Sequence, residues 1–466
     1  MKNKKGEKMK NYDVIIIGGG PSGIIAGVTG KKQNVDKSFL MIKEEAKGLI
    51  PCGIPYIFHD LNDVSKDAMG PKPFIDAGGD VLIDKVINID ITEKTLKTQN
   101  NDEFKYEKLV FATGSTPTIP TFIKGNDLEG VEFIKKSYDY IEKLKNETDE
   151  AKNIVIVGGG FIGVEVAEQL SKFKDKNISL VEMEEFCLYR AFSKDIAKKV
   201  DEILQNTEIN LLTNNKIEEI IGKNGKVTKV KLVNGKEIDA DLVIFSIGYK
   251  PNTELAKKSG LEITSQGTIR CDNYLRTNKK DIYAIGDCSQ TIGFITGRTD
   301  NIMLASTATS ESRILGYNLF EINLIRNFIG TLSVFSTEIG GTTFASVGAI
   351  EQEAKAHNIN YIIGKFEDVD RHPGTIKDAN KLMIKLIVSP KTGKIIGGEL
   401  YGGKSAGEII NILSLAIQKE TTVYELTSLQ FGTHPLLTTA PTKYVLIKAA
   451  EMAILNIKKK NYKLNQ

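Results

Sequence analysis

The stretch VIIIGGGPSG at positions 14–23 decides how the rest of the chain is interpreted. Four consecutive apolar residues predict a buried strand, and the glycine cluster that follows predicts a tight turn into a helix. The apolar residues 24–28 predict that helix, and a second apolar strand is predicted at 39–42. Strand, GxGxxG, helix and strand in this order are typical of a dinucleotide-binding βαβ unit.

Each residue type in this motif has a physical role. Gly18 permits the tight turn, Gly20 lets the backbone approach a pyrophosphate because it has no Cβ, and Gly23 lets helix and strand pack closely. The free N–H groups at the start of the helix, at Ser22 and its neighbours, are expected to hold the phosphates. Glu44 lies 21 residues beyond Gly23 and is placed to accept a ribose hydroxyl.

The same design occurs a second time, 140 residues later. The second copy has four parts in the same order: a strand at 153–157, GGGFIG at 158–163, an amphipathic helix at 164–173 and a strand at 178–181. The segments LVFATG (109–114) and VIFSIG (243–248) repeat at nearly the same offset. Two such units predict two bound nucleotides, and the alternative is two ordinary α/β packing turns.

Length and composition narrow the class of protein. A chain of 466 residues predicts two or three domains, and 41% hydrophobic with 26% charged residues is ordinary globular composition. A net charge of +3 gives no indication of nucleic-acid binding, and no apolar run is long enough to predict a membrane span. The four cysteines form no CxxC motif and the four histidines have no metal-ligand spacing. We therefore expect no metal, nucleic-acid or membrane partner, and a reducing cytoplasm.

A third motif makes the pattern specific. The sequence DIYAIGDC occupies 281–288, and a helix-like stretch follows at 301–316. Together with the two glycine motifs and the segments 109–117 and 247–252, it resembles the pyridine nucleotide–disulfide oxidoreductase family over about residues 12–450. The resemblance implies that the first unit holds FAD and the second holds NAD(P)H.

The resemblance also implies which residues contact the cofactors. In the family's second FAD motif the acid, here Asp287, bonds the ribitol chain, and Ala305 lies near the isoalloxazine ring. Phe161 occupies the position of an aromatic gate, with a core aromatic as the alternative. Glu165 matches a glutamate near the nicotinamide, with an exposed helix residue as the alternative. The other residues assigned to cofactor binding are Thr113, Gly114, Gly158, Gly160, Ile162, Gly163, Gly248 and Gly286.

Glu182 ends the second strand of the second unit and predicts the choice of pyridine nucleotide. It is followed by Met183 and Glu184 rather than by arginines. A carboxylate here accepts a free ribose 2′-hydroxyl and repels a 2′-phosphate, so NADH is expected over NADPH.

The predicted fold class is α/β, with two Rossmann-like dinucleotide-binding domains and a C-terminal α+β dimerisation domain. Alternating runs at 381–388 and 395–401 predict antiparallel strands, and amphipathic helices are predicted at 406–419 and 442–452. The predicted boundaries are 1–124 and 251–330 for the two parts of the FAD-binding domain, 125–250 for the NAD(P)H-binding domain and 331–466 for the dimerisation domain. The resemblance implies a homodimer in which the partner chain completes each active site.

The sequence CGIPY at 52–56 contains the candidate redox centre. By spacing alone, Cys52 fits a buried structural cysteine as well as it fits a redox cysteine. Its distance from the first glycine motif resembles the single-cysteine branch of the family, which contains coenzyme A-disulfide reductases, water-forming NADH oxidases, NADH peroxidases and persulfide or polysulfide reductases. No second cysteine lies within five residues, so the CxxxxC dithiol is absent. The branch implies that Cys52 cycles through a mixed disulfide, persulfide or sulfenate. The remaining cysteines, Cys187, Cys271 and Cys288, are predicted to be structural.

Reactivity at Cys52 requires the thiolate. At a reference pKa of ~8.5, roughly 3% of a thiol is ionised at pH 7, whereas a pKa of ~5.5 ionises roughly 97%. A helix N-terminus supplies only ~0.3–1 kcal/mol, up to ~2 kcal/mol when partly buried, against the ~4 kcal/mol that this change needs. The flavin or another cationic partner is therefore expected to contribute.

The C-terminal third departs from the single-cysteine branch. It has RHPG at 371–374 and GTHP at 432–435, where relatives carry tyrosine-containing segments. His434 resembles the partner-chain general acid of the dithiol branch, although Thr439 replaces the glutamate expected five residues later. His434 is the candidate proton donor to a leaving thiolate, with a structural histidine as the alternative. Pro21 replaces the histidine of peroxidase-like relatives, which disfavours direct peroxide reduction.

The leading hypothesis is an FAD-dependent oxidoreductase that passes hydride from NADH through flavin to Cys52. From there the electrons reach a small disulfide such as coenzyme A disulfide, a polysulfide or oxygen. Three alternatives are open: an NADH oxidase that reduces oxygen, a reductase for ferredoxin or rubredoxin, and a non-catalytic sensor that holds FAD and NADH.

Overall fold

The structure is a computed structural model that describes residues 9–326 and 330–464. The first glycine motif joins the central strand of a mainly parallel sheet to the first helix. Residues 10–117 contain strands β1 (Lys10–Ile17), β2 (Phe39–Lys43), β3 (Gly48–Leu49), β4 (Ala68–Met69), β5 (Asp80–Ile83), β6 (Val86–Asp90), β7 (Thr95–Thr98), β8 (Glu103–Phe111) and β9 (Ser115–Pro117), and helices α1 (Pro21–Gln33), α2 (Ile54–Ile57) and α3 (Lys72–Asp76). The sheet has the order β5-β2-β1-β8-β7-β6.

The second glycine motif lies in a separate parallel sheet. Residues 131–245 contain strands β10 (Val131–Phe133), β11 (Asn153–Val157), β12 (Asn177–Val181), β13 (Ile209–Leu212), β14 (Ile217–Lys223), β15 (Lys226–Leu232), β16 (Glu237–Asp239) and β17 (Leu242–Phe245), and helices α4 (Tyr138–Glu150), α5 (Phe161–Ser171) and α6 (Lys194–Leu204). The parallel order is β10-β17-β11-β12-β13, and β14 to β16 form an antiparallel sheet.

The two parallel sheets repeat one topology. β1 lies between β2 and β8, and β11 lies between β12 and β17. Ile17 ends β1 opposite Ile42, and Val157 ends β11 opposite Val181. Each glycine turn therefore leaves the carboxyl edge of its sheet, which is where open α/β sheets bind nucleotides.

The chain returns to the first sheet after the second unit. This part contains strands β18 (Tyr249–Pro251), β19 (Ile282–Ala284), β20 (Thr291–Ile292) and β21 (Thr299–Asp300), and helices α7 (Glu254–Lys258) and α8 (Ala305–Asn318). β18 pairs with β9, and β19 pairs in parallel with β8. Helix α8 packs so closely against α1 that a Cβ on Gly316 would lie 2.6 Å from the Thr29 side chain. The second FAD motif thus returns beside the first.

The C-terminal region is an antiparallel sheet covered by helices. It contains strands β22 (Val334–Ile339), β23 (Thr342–Gly348), β24 (Ile362–Val369), β25 (Lys381–Val388) and β26 (Ile395–Gly402), and helices α9 (Glu351–Ala356), α10 (Ala406–Gln418), α11 (Val423–Leu426) and α12 (Val445–Leu464). The sheet order is β22-β23-β26-β25-β24. These three sheet regions confirm the predicted fold class.

Two helix predictions were too short. α1 was predicted at 24–28 but begins at Pro21, because proline at the first helical position lacks only an N–H that has no partner there. α12 was predicted to end at 452 but continues to Leu464. Its apolar pattern extends to Ile457, which is 4% exposed, and a lysine-rich end follows.

A buried ion network ties the C-terminal sheet to the second unit. The Lys385 side chain is 1% exposed, and its Nζ lies 2.6 Å from Asp195, 2.8 Å from Glu351 and 3.2 Å from Glu399. The Glu399 carboxylate also accepts hydrogen bonds from the backbone and hydroxyl of Ser193, at the start of α6. This network fixes the position of the sheet relative to α6.

Candidate active site

The first glycine turn has the shape that a bound diphosphate requires. Gly18 has φ +113°, and a Cβ there would lie 2.1 Å from the Ala112 carbonyl oxygen. A Cβ on Gly23 would lie 2.1 Å from the Gly18 oxygen, so helix and strand touch. A Cβ on Gly20 would meet no described atom within 4 Å. Gly20 is also the N-cap of α1 and provides no side-chain cap, so the N–H groups of the first turn face open space.

The second glycine turn has the same construction. Gly158 has φ +108°, and a Cβ on Gly163 would lie 1.9 Å from the Gly158 oxygen. Around Gly160 the described residues leave the same open space as around Gly20. Ile162 lies in the first turn of α5, whose N-cap is Gly160. Both turns therefore fit a dinucleotide diphosphate.

Asp287 of the second FAD motif is held by two residues that the sequence analysis missed. Ser115 Oγ donates to Asp287 Oδ2 at 2.6 Å, and Lys136 Nζ donates to the same oxygen at 2.6 Å. Lys136 lies just before α4, outside every recognised motif. No sequence pattern signalled its position, because 151 residues separate it from Asp287.

The turn that carries Asp287 is braced from helix α8. Gly286 donates its N–H to Glu311 Oε2 at 2.9 Å, and a Cβ on Gly286 would lie 2.3 Å from Ser22 Oγ. Burial raises the pKa of Glu311 to about 7. Ala305 is the first residue of α8 and is half-buried. The first and second FAD motifs are thus in direct contact.

Hydrogen bonds join the segments 109–117 and 247–252, where the chain crosses between the two units. Thr113 Oγ1 donates to the Asn252 carbonyl at 2.6 Å, and the Asn252 N–H donates to the Gly114 carbonyl at 2.9 Å. The Gly248 carbonyl accepts the Thr118 N–H at 2.9 Å. Thr113, Gly114 and Gly248 therefore lie where the chain crosses between the two units.

The two predicted ribose acids have different surroundings. Glu182 is 8% exposed, and its carboxylate accepts from the Gly159 N–H at 2.5 Å and from the Glu184 N–H at 2.6 Å. Glu44 instead is exposed and pairs with Lys85 at 3.1 Å. Glu182 lies against its glycine turn, whereas Glu44 points to another part of the surface.

Phe161 opens helix α5 and lies within an aromatic cluster. Its ring stacks on Phe335 at 5.1 Å and 19°, and meets Phe192 edge-on at 6.2 Å. Phe161 is half-buried, so it is neither a fully enclosed core residue nor a free surface ring. Phe335 belongs to the C-terminal sheet and was not identified from the sequence.

Cys52 differs from the other cysteines in exposure. It reaches solvent, whereas Cys187 and Cys288 are 0% exposed and Cys271 is half-buried. Buried Cys288 Sγ contacts the Phe111 and Ile285 carbonyls, and Cys271 Sγ contacts the Gln290 carbonyl. Within the described chain, Cys52 is therefore the cysteine that an external disulfide can reach.

The protein by itself does not favour the Cys52 thiolate. Partial burial raises the pKa of the Cys52 thiol, and the charges of Glu165, Asp287 and Asp67 raise it further, against the opposing charge of Lys136. Helix α2 begins two residues later and is only one turn long. The helix contribution considered from the sequence is therefore too small to lower this pKa, which leaves the flavin or another cationic partner to do so.

Glu165 lies close enough to Cys52 to affect its ionisation. Burial raises the pKa of Glu165 to about 7. Thr337 Oγ1, on β22, donates to Glu165 Oε1 at 2.8 Å. The alternative of an exposed helix residue is therefore wrong, since Glu165 is enclosed between α5 and the C-terminal sheet.

Asp67 is a second buried acid near the cysteine loop. It is 3% exposed, and a Cβ on Gly53 would lie only 1.8 Å from its Oδ1. In the described part of the chain its Oδ2 has no hydrogen-bond partner, and burial raises its pKa to about 6. Asp67 belongs to no recognised motif and was not selected from the sequence.

The two histidine segments of the C-terminal region lie together. His372 Nδ1 lies 2.9 Å from the Thr438 carbonyl, and the His372 N–H donates to the Pro435 carbonyl at 3.1 Å. His434 is exposed, and its Nδ1 accepts from the Leu436 N–H at 3.2 Å. No hydrogen bond or ion pair within residues 9–326 and 330–464 joins His434 to Cys52 of the same chain.

The described residues include neither a membrane-spanning helix nor a group of metal ligands. No helix there combines the length and the apolar character needed to cross a bilayer. Over the same residues, no three or more His, Cys, Asp or Glu side chains are grouped so as to hold a metal ion.

Two family models match the chain. The model described as pyridine nucleotide-disulphide oxidoreductase covers residues 12–312, and that of the family's dimerisation domain covers 336–445. The chain belongs to the pyridine nucleotide-disulphide oxidoreductase family. Members of this family are FAD-dependent enzymes that use NAD(P)H, so the predicted enzyme class and cofactors are confirmed.

Individual family members extend this result. An NADH oxidase of Methanocaldococcus jannaschii is 32% identical over 90% of this chain and 93% of its own length. An NAD(P)H coenzyme A polysulfide/persulfide reductase of Pyrococcus horikoshii is 30% identical over 85% of this chain and 88% of its own length. The solved NAD-dependent persulfide reductase of A. fulgidus is 30% identical, with a TM-score of 0.87 over 96% of this chain and 84% of that one.

The dimerisation domain indicates that this family member is a homodimer. The substrate differs among the similar proteins, since their names include both oxygen-linked and sulfur-linked activities. The choice between them depends on the chemistry of this chain's own site.

Proposed function

We propose that the chain is an NADH-dependent reductase of a small disulfide or polysulfide, such as coenzyme A disulfide, with Cys52 as the redox residue. The observation that carries the proposal is the surroundings of Cys52. It is solvent-accessible, and charged groups of both units, among them Asp67 and Asp287 of the first and Lys136 and Glu165 of the second, act on its thiol. The names of the relatives from M. jannaschii and P. horikoshii support a redox role in this branch.

In the first chemical step Cys52 is the nucleophile. Its thiolate attacks one sulfur of the substrate disulfide, so that a Cys52–substrate disulfide forms, the substrate S–S bond breaks and one substrate thiolate leaves. Two electrons then cleave the Cys52–substrate disulfide, which releases the second substrate thiolate and returns Cys52 to the thiolate. Bound FAD supplies the chemistry that relays this electron pair from NADH.

Other residues are proposed to hold the cofactors and the protons. The open turns at Gly20 and Gly160 would hold the two diphosphates and Asp287 would hold the ribitol chain. Phe161 would act as the aromatic gate of the nicotinamide site. The remaining assigned residues, apart from Glu44, keep the cofactor-binding roles that the family resemblance implies. We propose His434 of the partner subunit as proton donor to the leaving thiolate, since a homodimer provides a second copy of this exposed histidine.

The preference for NADH follows from Glu182. Its buried carboxylate lies against the second glycine turn, where a ribose 2′-phosphate would be repelled. The division into 1–124, 125–250, 251–330 and 331–466 is likewise proposed, with support from β19, which rejoins the first sheet. The free cysteines support a cytoplasmic location.

The test is NADH consumption under nitrogen with coenzyme A disulfide or polysulfide. The parent protein and a Cys271→Ser control are expected to consume NADH. The activity of Cys52→Ser is expected to fall by a factor on the order of 100 or more, because this variant lacks the catalytic nucleophile. If Cys52→Ser retains disulfide-dependent turnover, the proposal is wrong.

A second candidate function is an NADH oxidase. The 32% identity to the M. jannaschii protein of that name favours it. Oxygen uptake in air, measured on the same variants, separates the two: rapid oxygen uptake with no anaerobic disulfide activity supports the oxidase.

A further inference from the structure

The two dinucleotide-binding units can be compared residue by residue, because the second strand of each makes the same hydrogen bond to its glycine turn. The Ile42 carbonyl accepts the N–H of the first glycine in the first motif at 2.8 Å. The Val181 carbonyl accepts the corresponding N–H of the second motif, also at 2.8 Å. The residues that follow these carbonyls, Lys43 and Glu182, therefore occupy equivalent places.

The packing of the two side chains is also equivalent. A Cβ on Gly19 would lie 2.7 Å from Lys43 Cδ, and a Cβ on Gly159 would lie 3.0 Å from Glu182 Cβ and Cγ. Each side chain thus lies beneath the middle glycine of its turn. Glu44, which was selected from its spacing, lies one residue beyond the position equivalent to Glu182, and its side chain is exposed.

The two sites differ in chemistry. The Glu182 carboxylate accepts a hydrogen bond from the backbone of its turn, whereas the Lys43 ammonium has donors only. Lys43 is 6% exposed, and its Nζ donates to the Ala46 carbonyl at 3.3 Å. The neighbouring Glu45 carboxylate accepts from the Tyr138 N–H at 3.3 Å. An ammonium therefore lies in the first unit where the second unit has a carboxylate.

We propose that Lys43, not Glu44, faces the adenosine ribose in the first unit and gives this site the opposite selectivity to the second. An ammonium donates to ribose oxygens and attracts a phosphate on the ribose, whereas a carboxylate accepts from hydroxyls and repels that phosphate. The inference rests on the assignment of FAD to the first unit. It predicts that an adenosine nucleotide with an additional ribose phosphate competes with FAD for this site more effectively than one without.

The test is competition for FAD binding by the full-length protein after its flavin has been removed. FAD rebinding is followed by the quenching of its fluorescence, with AMP or adenosine 2′,5′-bisphosphate as competitor. The bisphosphate is expected to compete at least about tenfold more effectively than AMP. Lys43→Met keeps the apolar stem on Gly19 and is expected to abolish this preference, and Lys43→Glu is expected to reverse it.

Glu44→Gln is the matched control, because Glu44 is the adjacent acid and is exposed. It is expected to leave the ratio of the two competitors unchanged. Equal competition by both nucleotides in the parent protein, or loss of the preference in Glu44→Gln, would overturn the inference. If neither nucleotide competes while FAD still rebinds, the inference also fails. Failure of FAD itself to rebind would instead contradict the assignment of the first unit.

Discussion

The hydroxyl of Thr337 donates a 2.8 Å hydrogen bond to Glu165 and so joins the C-terminal sheet to the helix of the second glycine motif. The carboxyl is enclosed at this junction, and burial raises its pKa from 4.5 to about 7. Glu165 therefore links the protonation state of the site to the stability of the folded chain.

This link predicts how stability depends on pH. Because the folded-state pKa is raised, the contribution of Glu165 is fully present below pH 4.5 and is lost as the pH rises through about 7. The loss amounts to about 3 kcal/mol at ~1.4 kcal/mol per pKa unit. Thermal unfolding of the flavin-free Glu165→Gln variant is expected to show a flatter pH profile than the parent between pH 5 and 8. Parallel profiles of the two proteins would show that the pKa of Glu165 is not raised. Glu44→Gln is the control, because the Glu44 side chain is exposed.

Glu182 is predicted to set the choice of pyridine nucleotide. Glu182→Gln removes the negative charge beside the ribose but keeps the side-chain volume. We expect the ratio of kcat/KM for NADPH to that for NADH to rise at least about tenfold, since removing this repulsion changes the discrimination by about 1.4 kcal/mol or more. Steady-state kinetics with both nucleotides measures it. Glu185→Gln, which loses only an exposed pair with Lys194, is the control, and an equal change there would contradict the assignment.

Gly53 is predicted to be intolerant of a side chain because of Asp67. A Cβ at position 53 would lie 1.8 Å from Asp67 Oδ1, and overpacking of this kind costs about 1–3 kcal/mol. Gly53→Ala is therefore expected to lower the unfolding temperature. The double variant with Asp67→Ala is expected to recover part of that loss, as a double-mutant cycle would show. Purely additive effects would mean that the two residues do not touch.

Lys385 is predicted to be the most sensitive lysine of the C-terminal sheet. Lys385→Met leaves three carboxylates, from Asp195, Glu351 and Glu399, without their shared cation. Breaking a buried network in this way costs about 3–5 kcal/mol. Denaturant unfolding is expected to show this loss, whereas Lys394→Met, which breaks an exposed pair with Glu420, is expected to change little. Equal effects for the two variants would show that the network does not stabilise the fold.

The fold could be predicted from the sequence because its signals are local. Val14 to Ile17 and the following glycines specify strand, turn and helix within ten residues, and the repeat at 153–163 makes the assignment secure. The exposure of Cys52 also agrees with its selection as the redox candidate. Such patterns depend on hydrophobic periodicity and glycine geometry, which act over short distances along the chain.

The remainder of the site depends on contacts between distant residues. Lys136 reaches Asp287 across 151 residues, and Thr337 reaches Glu165 across 172. None of these four positions reveals its partner from local sequence, because the contact forms only when the units pack together. At the ribose position two criteria select different residues. Spacing from the glycine motif selected Glu44, whereas the hydrogen-bond register of the two repeats points to Lys43.

Electron transfer between bound flavin and Cys52 is the central step of the proposed function, and a reductive titration tests it directly. The protein is first oxidised with coenzyme A disulfide, freed of excess reagent and titrated with dithionite under nitrogen. The parent protein is expected to take up four electrons per chain, two at the flavin and two at the Cys52 disulfide, whereas Cys52→Ser takes up two. An uptake of only two electrons by the parent protein would contradict the proposal that Cys52 is a redox centre.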